Sequence, residues 1–339
     1  MPTTKPALRV AVLGAGSWGT ALALVLARNG HAVSLWGHRP EAMAVMAEQR
    51  CNRDYLPDIA LPDSIHPTAD LDAAVADVDH VLMTVPSAGF AELTARLAPV
   101  VPAHASIAWA TKGLQADGHG LLHGLVAHWL PGHPRAILSG PSFAGEVARG
   151  LPTAVVLASD DGGCADTLAA AFHDERFRVY TSPDVIGVEV GGAVKNVLAI
   201  ATGIADGLAL GANARAGLIT RGLAEIRRLG VALGAADTTL TGLAGMGDLI
   251  LTCTDDQSRN RRMGLALGQG HTIDQAAEQI GQVVEGLRTA GEVTALGARL
   301  RVELPICSAV EAVIQGQVSP SQAAQALMQR DPTAEFSGF

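Results

Sequence analysis

Cysteine and aromatic residues are both scarce in this chain. The four cysteines, Cys51, Cys164, Cys253 and Cys307, form no Cys-x-x-Cys pair and show no spacing typical of metal ligands. This pattern indicates reduced thiols rather than a disulfide framework, so we predict no bound metal and take the cytoplasm as the default location. Aromatic residues make up only 4% of the chain, so the hydrophobic content of 48% comes mostly from alanine, valine and leucine, which favour helices and buried parallel strands.

The chain also lacks an excess of positive charge. Its 24 lysine and arginine residues are outnumbered by 33 acidic residues, which gives a formal net charge of −9. A general nucleic-acid binder needs a basic face to displace counterions from phosphates. We therefore expect no nucleic-acid partner, whereas a local phosphate site is compatible with this charge.

No segment is expected to cross a membrane. The apolar run Val197–Ala212 is too short for a span and contains Asp206. Near the N-terminus, Lys5 and Arg9 precede a nearly uncharged run that resembles a signal peptide. Glycines at positions 14, 16 and 19 would weaken an inserted helix, and they suit a strand, a tight turn and a helix start instead.

The first half of the chain alternates short apolar runs with helical patterns. The predicted strands are Arg9–Leu13, Ala32–Trp36, His80–Val85, Ser106–Ala110, Arg135–Leu138, Thr153–Ala158 and Phe177–Thr181. The predicted helices between them are Trp18–Asn29, Pro40–Arg50, Phe90–Leu97 and Gly162–Phe172. This alternation predicts an α/β domain built on a parallel, doubly wound sheet.

From Pro183 onward the sequence shows only helical patterns. The predicted helices are Pro183–Leu208, Ala214–Leu233, Asp237–Leu243, Arg259–Leu267, Thr272–Ile280, Val284–Leu300, Pro305–Gln315 and Ser319–Gln329. The change from α/β to all-α marks a boundary near Ser182, so we predict domains over residues 1–182 and 183–339, in agreement with a length of 339 residues.

A glycine-rich turn follows the first predicted strand. The segment GAGSWG at 14–19 matches the pattern Gly-x-Gly-x-x-Gly and opens the first predicted helix. Backbone N–H groups at such a turn can approach a pyrophosphate, so Gly14, Gly16 and Gly19 predict a Rossmann-type dinucleotide-binding domain over residues 1–182. The alternative is a tight glycine turn that binds nothing.

The end of the second predicted strand has no acidic residue to bind the ribose 2′-hydroxyl of NAD. The sequence there is Leu35-Trp36-Gly37-His38-Arg39. His38 and Arg39 could instead pair with a 2′-phosphate, so we expect NADP(H) to be preferred and NAD(H) to be usable. The alternative is a solvated pair of surface side chains.

Two further turns follow predicted strands, at the sheet edge where open α/β sheets bind ligands. Lys112, within Thr111-Lys112-Gly113, is placed to meet an anion or is a solvated loop charge. The small-residue segment 139–144 could let its backbone approach a ligand or be no more than a turn.

A lysine lies among small apolar residues within the predicted helix 183–208. Burial of Lys195 would lower its pKa toward the range useful for proton transfer. Its candidate partners are Asp248 and the segment Ser258-Arg259-Asn260. An arginine at a helix N-terminus capped by Ser258 would form a phosphate site, which makes residues 183–339 the substrate and catalytic domain. The alternative for each residue is an ordinary cap or salt bridge.

We assign no binding site to two groups of basic side chains as a whole. His119, His123, His128 and His133 fall within fifteen residues, with the first two expected on one helical face, but no cysteine or carboxylate completes a metal-binding set. The arginine runs at 221–228 and 259–262 are interpreted as solvated faces plus one functional arginine.

Ordered motifs extend along the whole chain. They are GAGSWGTALA at 14–23, LWGH at 35–38, CNRDYLP at 51–57, ATKGL at 110–114, SGPSFAGEV at 139–147, GGAVKN at 191–196, GANARAGLITRGLAE at 211–225, GMGDLILTC at 245–253, QSRNRR at 257–262 and GQVVEG at 281–286. Through them the chain resembles the bacterial NAD(P)+-dependent glycerol-3-phosphate dehydrogenases over essentially its whole length.

The resemblance implies an oxidoreductase that interconverts sn-glycerol 3-phosphate and dihydroxyacetone phosphate with NAD(P)(H), a step of phospholipid biosynthesis. It implies that Lys195 donates and accepts the proton and that Asp248 orients it. The implied cofactor positions are Ser17, Trp18, His38, Lys112, Ala144, Arg259, Val283 and Glu285. The implied substrate positions are Lys112, Gly140, Ser142, Lys195, Asp248, Ser258, Arg259 and Asn260. Ser142 departs from the threonine common in the family but keeps the hydroxyl.

Two other functions are compatible with the residues taken alone. Another Rossmann ketone reductase, of the ketopantoate or 2-hydroxyacid type, could also use a lysine acid, so Arg259 as a phosphate ligand is the discriminating residue. A non-catalytic NADPH-binding sensor would not need both Lys195 and Asp248. The oligomeric state is left open, with a homodimer as one option.

Overall fold

A computed structural model describes residues 7–116, 119–331 and 334–335, and the chain divides into two compact units. The first unit comprises the chain up to Thr111 together with His123–Val185. The second comprises Lys112–Leu122 together with the chain from Ile186 onward.

The segment 112–122 belongs to the helical unit, although the sequence predicts it to be part of the domain 1–182. The side-chain amide of Asn196 donates to the carbonyl oxygen of Lys112 at 3.2 Å, and Arg299 donates to the carbonyl oxygen of His119 at 2.8 Å. Both donors lie far along the sequence, so the local pattern carries no sign of these contacts. The boundary after the sheet also differs, since the second unit begins again at Ile186 rather than at residue 183.

The first unit combines strands with connecting helices. Its strands in the described part of the chain are β1 (Arg9–Leu13), β2 (Ala32–Trp36), β3 (Cys51–Asn52), β4 (Leu56–Ala60), β5 (Ile65–Thr68), β6 (His80–Met83), β7 (Ser106–Trp109), β8 (Arg135–Ser139), β9 (Thr153–Ser159) and β10 (Phe177–Ser182). Its helices are α1 (Ser17–Arg28), α2 (Pro40–Gln49), α3 (Leu71–Val75), α4 (Ser87–Leu97), α5 (Leu122–Trp129), α6 (Ala144–Ala148) and α7 (Gly162–Phe172).

Eight of these strands form one sheet in the order β10-β9-β8-β7-β6-β1-β2-β5. The order reverses beside β1, which pairs with β2 on one side and with β6 on the other. A crevice at such a reversal is where open α/β sheets bind ligands. Residues 10–13 of β1 are at most 2% exposed, as expected for a strand covered on both faces, and the turn after them holds the glycine motif.

The predicted parallel sheet contains one antiparallel pair, formed by β8 and β9. An apolar strand sequence fits either direction, so the pattern could not reveal it. The sequence also missed three short strands. β5 extends the sheet beside β2, while β3 and β4 form a separate antiparallel hairpin.

The second unit is helical from Ile186 onward, and the described residues there contain no strand, as the sequence predicts. Its elements are α8 (Val185–Gly207), α9 (Gly211–Ala232), α10 (Asp237–Leu240), a π-helical turn (Leu243–Gly247), α11 (Asp248–Thr254), α12 (Arg259–Gly268), α13 (Ile273–Ile280), α14 (Glu285–Leu300), α15 (Pro305–Ile314) and α16 (Pro320–Met328). The predicted helix 237–243 stops at Leu240, and the π-helical turn and α11 were not expected.

Helix α8 lies in the core of this unit. Its 23 residues are long and apolar enough to cross a membrane by composition, yet 94% of its most apolar window is buried inside the protein. Apolar side chains on all sides of a helix are typical of a core helix as well as of a membrane span. The burial of α8 identifies it as the core helix of the second unit.

Helices α8 and α12 approach each other through glycines. A Cβ atom added at Gly203 would lie 2.2 Å from the carbonyl oxygen of Arg261, and one added at Gly264 would lie 2.0 Å from that of Ile200. No side chain fits at these distances, so the two backbones are in direct contact. This contact fixes α12 against the C-terminal part of α8.

The expected helical face shared by His119 and His123 does not exist. Helix α5 begins at Leu122, so His119 precedes it. The N–H group of Gln115 donates to the carbonyl oxygen of Gly120 at 3.0 Å, and its side chain donates to that of Leu121 at 2.8 Å. These bonds join Gln115 to the two residues that precede the helix.

The glycine contact between α8 and α12 makes a prediction for stability. Gly264→Ala should lower the free energy of unfolding by about 1–3 kcal/mol, because the added methyl group forces the helices apart. The control is Gly217→Ala in α9, where nothing lies within 4 Å of the added Cβ. That exchange should stabilise the helix by up to about 1 kcal/mol. Thermal unfolding followed by circular dichroism measures both, and equal midpoints would contradict the close contact.

Candidate active site

The glycine motif of the first unit forms a cradle between β1 and α1. Gly14 has a φ of +126°, and a Cβ atom there would lie 2.7 Å from Oγ1 of Thr84. A Cβ atom at Gly19 would lie 1.9 Å from the carbonyl oxygen of Gly14. At Gly16, by contrast, an added Cβ would meet nothing within 4 Å. The outer glycines are therefore required by packing, and the middle one leaves open space in front of the helix.

The N-terminus of α1 retains unsatisfied donors. Gly16 is the N-cap and provides no side-chain acceptor, and the first N–H groups of a helix have no partner within the helix. Ser17 and Trp18 begin the helix, and the buried indole N–H of Trp18 has no partner in the described part of the chain. These donors and the positive end of the helix dipole fit the pyrophosphate of a dinucleotide.

His38 and Arg39 follow β2 at the predicted 2′-phosphate position. Arg39 is the N-cap residue of α2, and its side chain is 52% exposed. Its Nη2 atom lies 3.1 Å from Oδ2 of Asp54, which the β3–β4 hairpin carries. The predicted contact with a 2′-phosphate stays a prediction.

The turn after β8 is stabilised by a hydrogen bond from one of its own side chains, that of Ser142. Ser142 donates its hydroxyl to the carbonyl oxygen of Gly140 at 2.9 Å. Gly140 has a φ of +140°, and a Cβ atom there would lie 3.0 Å from Cα of Val155. Ala144 begins α6 directly afterwards. All three predicted site residues of this turn thus belong to the first unit.

Three predicted site residues of the second unit meet at one carboxylate. Nζ of Lys195, on α8, lies 2.5 Å from Oδ1 of Asp248, and Nζ of Lys112 lies 2.7 Å from Oδ2. The side chain of Asp248 is only 1% exposed and that of Lys195 only 8%. Thr252, one turn after Asp248 on α11, accepts a hydrogen bond from Nζ of Lys195 at 2.9 Å.

The environment of Lys195 lowers its pKa from 10.5 to about 8. Burial is the largest cause, because it disfavours the charged ammonium group, and the positive charge of Lys112 acts in the same direction. The carboxylate of Asp248 opposes both by favouring the ammonium form. Lys195 therefore changes its protonation state close to neutral pH, which is the property required of a general acid and base.

A chain of amide hydrogen bonds connects the surrounding helices. Nδ2 of Asn260 donates to Oδ1 of Asn196 at 2.9 Å, and the N–H group of Gly286 donates to Oδ1 of Asn260 at 2.8 Å. Asn196 follows Lys195 on α8, and Gly286 follows Glu285, the first residue of α14. The start of α14, next to the predicted cofactor residues Val283 and Glu285, is thus joined to the predicted substrate residue Asn260 through Gly286. The side chain of Val283 is 55% exposed.

The N-terminus of α12 carries the remaining predicted substrate residues. Ser258 caps the helix by accepting a hydrogen bond from the N–H group of Arg261 at 3.2 Å, as the sequence predicts. Arg259 is the first helical residue, and its guanidinium lies 3.5 Å from Oε1 of Gln282. This helix start combines backbone donors with a cation, which suits a phosphate.

The segment before α12 is fixed by Arg261. Its guanidinium binds Asp206 at 2.6 Å, donates to the carbonyl oxygen of Cys253 at 3.2 Å and contacts Asp256. Arg261 is therefore a buried structural residue, whereas the sequence suggested a solvated face for this arginine run. Asp206 also binds Arg215 at 2.9 Å, which ties α9 to the same network.

Thr252 and Asn196 contribute to the cluster, although the sequence did not predict them as site residues. Thr252 lies four residues after Asp248, a spacing that places both on one face of a helix, so the sequence contained a usable signal. Asn196 was visible beside Lys195, but its partner Asn260 lies 64 residues away. The described residues contain no group of three or more His, Cys, Asp or Glu side chains able to hold a metal ion.

Family models identify the class of protein that this fold and these clusters define. Residues 9–165 match the model for the N-terminus of NAD-dependent glycerol-3-phosphate dehydrogenase, and residues 184–325 match the model for its C-terminus. The chain belongs to this family of oxidoreductases. Every motif that carries the resemblance lies within one of these two matched regions.

Curated and solved relatives agree with this membership. The chain is 57% identical to glycerol-3-phosphate dehydrogenase [NAD(P)+] of Halorhodospira halophila, over 96% of this chain and 98% of the relative. A crystal structure of glycerol-3-phosphate dehydrogenase from Coxiella burnetii superposes with a TM-score of 0.93 at 49% identity, covering 96% of this chain and 99% of that one.

More distant structures share the fold alone. A ketopantoate reductase from Ralstonia eutropha superposes with a TM-score of 0.59 at 19% identity, over 94% of this chain and 100% of that one. The predicted fold class, a Rossmann-type α/β domain followed by an all-α domain, is confirmed by these comparisons together with the observed topology.

The lysine pair makes a prediction for the charge of Lys195. Asp248→Asn should lower the pKa of Lys195 below about 8, because it removes the carboxylate that favours the ammonium group while Lys112 stays in place. NMR of ¹³Cε-labelled lysine, titrated with pH, measures this directly. Asp256→Asn, which removes an acid bound to Arg261, should leave the pKa near its original value. Identical titrations of the two variants would contradict the assigned electrostatics.

Proposed function

We propose that this chain catalyses the reversible reduction of dihydroxyacetone phosphate to sn-glycerol 3-phosphate, with Lys195 as the general acid and base. The observation that carries the proposal is the buried Lys195 held by Asp248 and Thr252, with a pKa of about 8. NAD(P)H supplies the hydride when bound. Family membership supports the substrate and the use of NAD(P)(H).

The proton moves through Nζ of Lys195. In the reductive direction the ammonium group donates a proton to the carbonyl oxygen of the substrate, and in the oxidative direction the neutral amine accepts it. Asp248 and Thr252 fix Nζ from two sides, which leaves its remaining N–H direction for the substrate oxygen. Lys112 shares Asp248 and keeps the pKa of Lys195 low enough for both directions.

The phosphate group of the substrate is assigned to the start of α12. Arg259 provides a bidentate cation there, and the backbone N–H groups after the Ser258 cap add the positive end of a helix dipole. Asn260 lies in the same turn and is held by Asn196. The substrate roles of Gly140 and Ser142 rest on the resemblance to the family.

The cofactor is assigned to the glycine cradle of the first unit. Gly14, Gly16 and Gly19 leave room for a pyrophosphate, and Ser17 and Trp18 stand at the helix start that would bind it. His38 and Arg39 would contact the adenosine ribose, with NADP(H) preferred over NAD(H). The remaining assigned cofactor residues are Lys112, Ala144, Arg259, Val283 and Glu285.

A ketopantoate reductase activity is the second candidate, since that enzyme shares the fold. The cationic start of α12 favours a phosphorylated substrate over ketopantoate, which has a carboxylate instead. Oxidation of NADPH, followed by absorbance with each substrate in turn, decides between them. Turnover of ketopantoate alone would overturn the assignment, and tight NADPH binding without any turnover would indicate a sensor.

The cellular setting follows from this activity. We expect a cytoplasmic enzyme that provides the glycerol backbone of phospholipids and acts on small molecules, with no nucleic-acid partner. Residues 1–182 would bind the dinucleotide and residues 183–339 the substrate, with the helical part extended by the segment that contains Lys112. A homodimer is tested by sedimentation velocity of the purified chain.

Lys195→Ala should lower kcat for dihydroxyacetone phosphate by about 10²- to 10⁴-fold, because the substitution removes the amine that donates the proton. The dissociation constant of NADPH, measured by quenching of protein fluorescence, should stay within a factor of two of the wild type. A variant with nearly normal kcat would remove Lys195 from the proton transfer. Parallel loss of NADPH binding would point to a structural defect.

Arg259→Ala should raise KM for dihydroxyacetone phosphate by about 10- to 100-fold, the equivalent of one charged hydrogen bond. Arg262→Ala is the matched control, since it removes the same charge from the same helix. Arg262 makes no ion pair within the described ranges, so the KM of the Arg262→Ala variant should stay close to that of the wild type. Equal effects of the two substitutions would show that only the overall charge of the helix start matters.

A further inference from the structure

An acidic side chain from another part of the chain lies beside the segment that follows β2. Oδ2 of Asp54 lies 3.1 Å from Nη2 of Arg39, at the position where the sequence contains Gly37, His38 and Arg39 but no acid. Asp54 lies between β3 and β4, 15 residues after Arg39, so the pattern after β2 gives no indication of it.

The hairpin that carries Asp54 is anchored to the glycine cradle. Nδ2 of Asn52 donates to the carbonyl oxygen of Ala15 at 3.0 Å and to Oγ1 of Thr20 at 2.7 Å. Asn52 is only 3% exposed, and Thr20 is completely buried. A buried polar side chain with two good partners is costly to displace, so the hairpin is held beside the cradle. Asp54 follows two residues after this anchor.

We propose that Asp54 is a specificity-determining residue that competes with the cofactor 2′-phosphate for Arg39. This inference rests on the proposed function, in which Arg39 contacts the 2′-phosphate of NADP(H), and deepens it. When NAD(H) binds, Arg39 stays with Asp54, because NAD(H) carries no 2′-phosphate. When NADP(H) binds, the phosphate takes Arg39 from Asp54.

The exposure of the ion pair makes the exchange feasible. The side chains of Arg39 and Asp54 are 52% and 61% exposed, and such pairs contribute little free energy and are screened by salt. A phosphate with up to two negative charges is a stronger partner for a guanidinium than one carboxylate. Asp54 therefore reduces the advantage of NADP(H) without abolishing it, and the site accepts both cofactors.

The test uses two fragments that differ in one group. Adenosine 2′,5′-bisphosphate carries the 2′-phosphate and 5′-AMP does not, so the ratio of their dissociation constants isolates the contact at Arg39. Isothermal titration calorimetry with the full chain measures both without catalysis. The variants are Asp54→Asn, Arg39→Ala and the double substitution. Asp58→Asn is the matched control, an exposed acid on β4 that makes no ion pair among the described residues.

Asp54→Asn should tighten binding of the bisphosphate about fivefold relative to 5′-AMP, the upper range for release of an exposed ion pair. Asp58→Asn should change this ratio less than twofold. In the Arg39→Ala background the Asp54 effect should disappear, because the competition needs the guanidinium. The ratio of kcat/KM for NADPH and NADH should follow the same order across the variants.

Four results separate the possible failures. Equal ratios for Asp54→Asn and Asp58→Asn would overturn the proposal, as would an Asp54 effect that persists without Arg39, since general repulsion would then explain it. An Arg39→Ala ratio equal to that of the wild type would overturn both the assigned 2′-phosphate contact and the competition. Absence of turnover with dihydroxyacetone phosphate, with the fragment pattern intact, would overturn only the assigned reaction.

Discussion

The carboxylate of Asp248 is the interaction on which the helical unit depends. It is almost completely buried and binds two lysines, at 2.5 Å and 2.7 Å. Removing ionised groups from water costs several kcal/mol for each ion, so none of the three charges is tolerable there without the others. Folding must therefore bring three segments together at this carboxylate: the start of α11, the middle of α8 and the segment that contains Lys112. Two ammonium groups and one carboxylate give this cluster a net positive charge, which suits a site for an anionic substrate.

The backbone contacts of α8 keep this cluster in register with the start of α12. Gly203 and Gly264 bring the two helices together without intervening side chains. Asn196 then reaches Asn260, whose other side holds the N–H group of Gly286 at the start of α14. Two helix N-termini and the lysine are thus fixed by one set of hydrogen bonds. Precision of this kind matters for proton transfer, which requires the donor within hydrogen-bonding distance of the substrate.

Local patterns were sufficient for much of the fold and for part of the site. Apolar runs located β1 and β2 within the sheet, and the glycine spacing located the cradle, because both signals lie within a few residues. The burial of Lys195 was also readable from its small apolar neighbours. The antiparallel β9, the placement of Lys112 in the second unit and the pair of Arg39 with Asp54 were not readable. Each depends on a contact between segments distant in sequence, which periodicity does not encode.

In the proposed mechanism Lys195, with a pKa of about 8, carries the proton in both directions. The most direct measurement is the pH dependence of kcat/KM for dihydroxyacetone phosphate reduction and for glycerol 3-phosphate oxidation, between pH 6 and 10. Reduction needs the ammonium form, so its rate should be level at low pH and fall as the pH rises through about 8. Oxidation needs the neutral amine, so its rate should rise through the same midpoint. Profiles that change in the same direction, or that show no inflection near this pH, would contradict the assignment of Lys195.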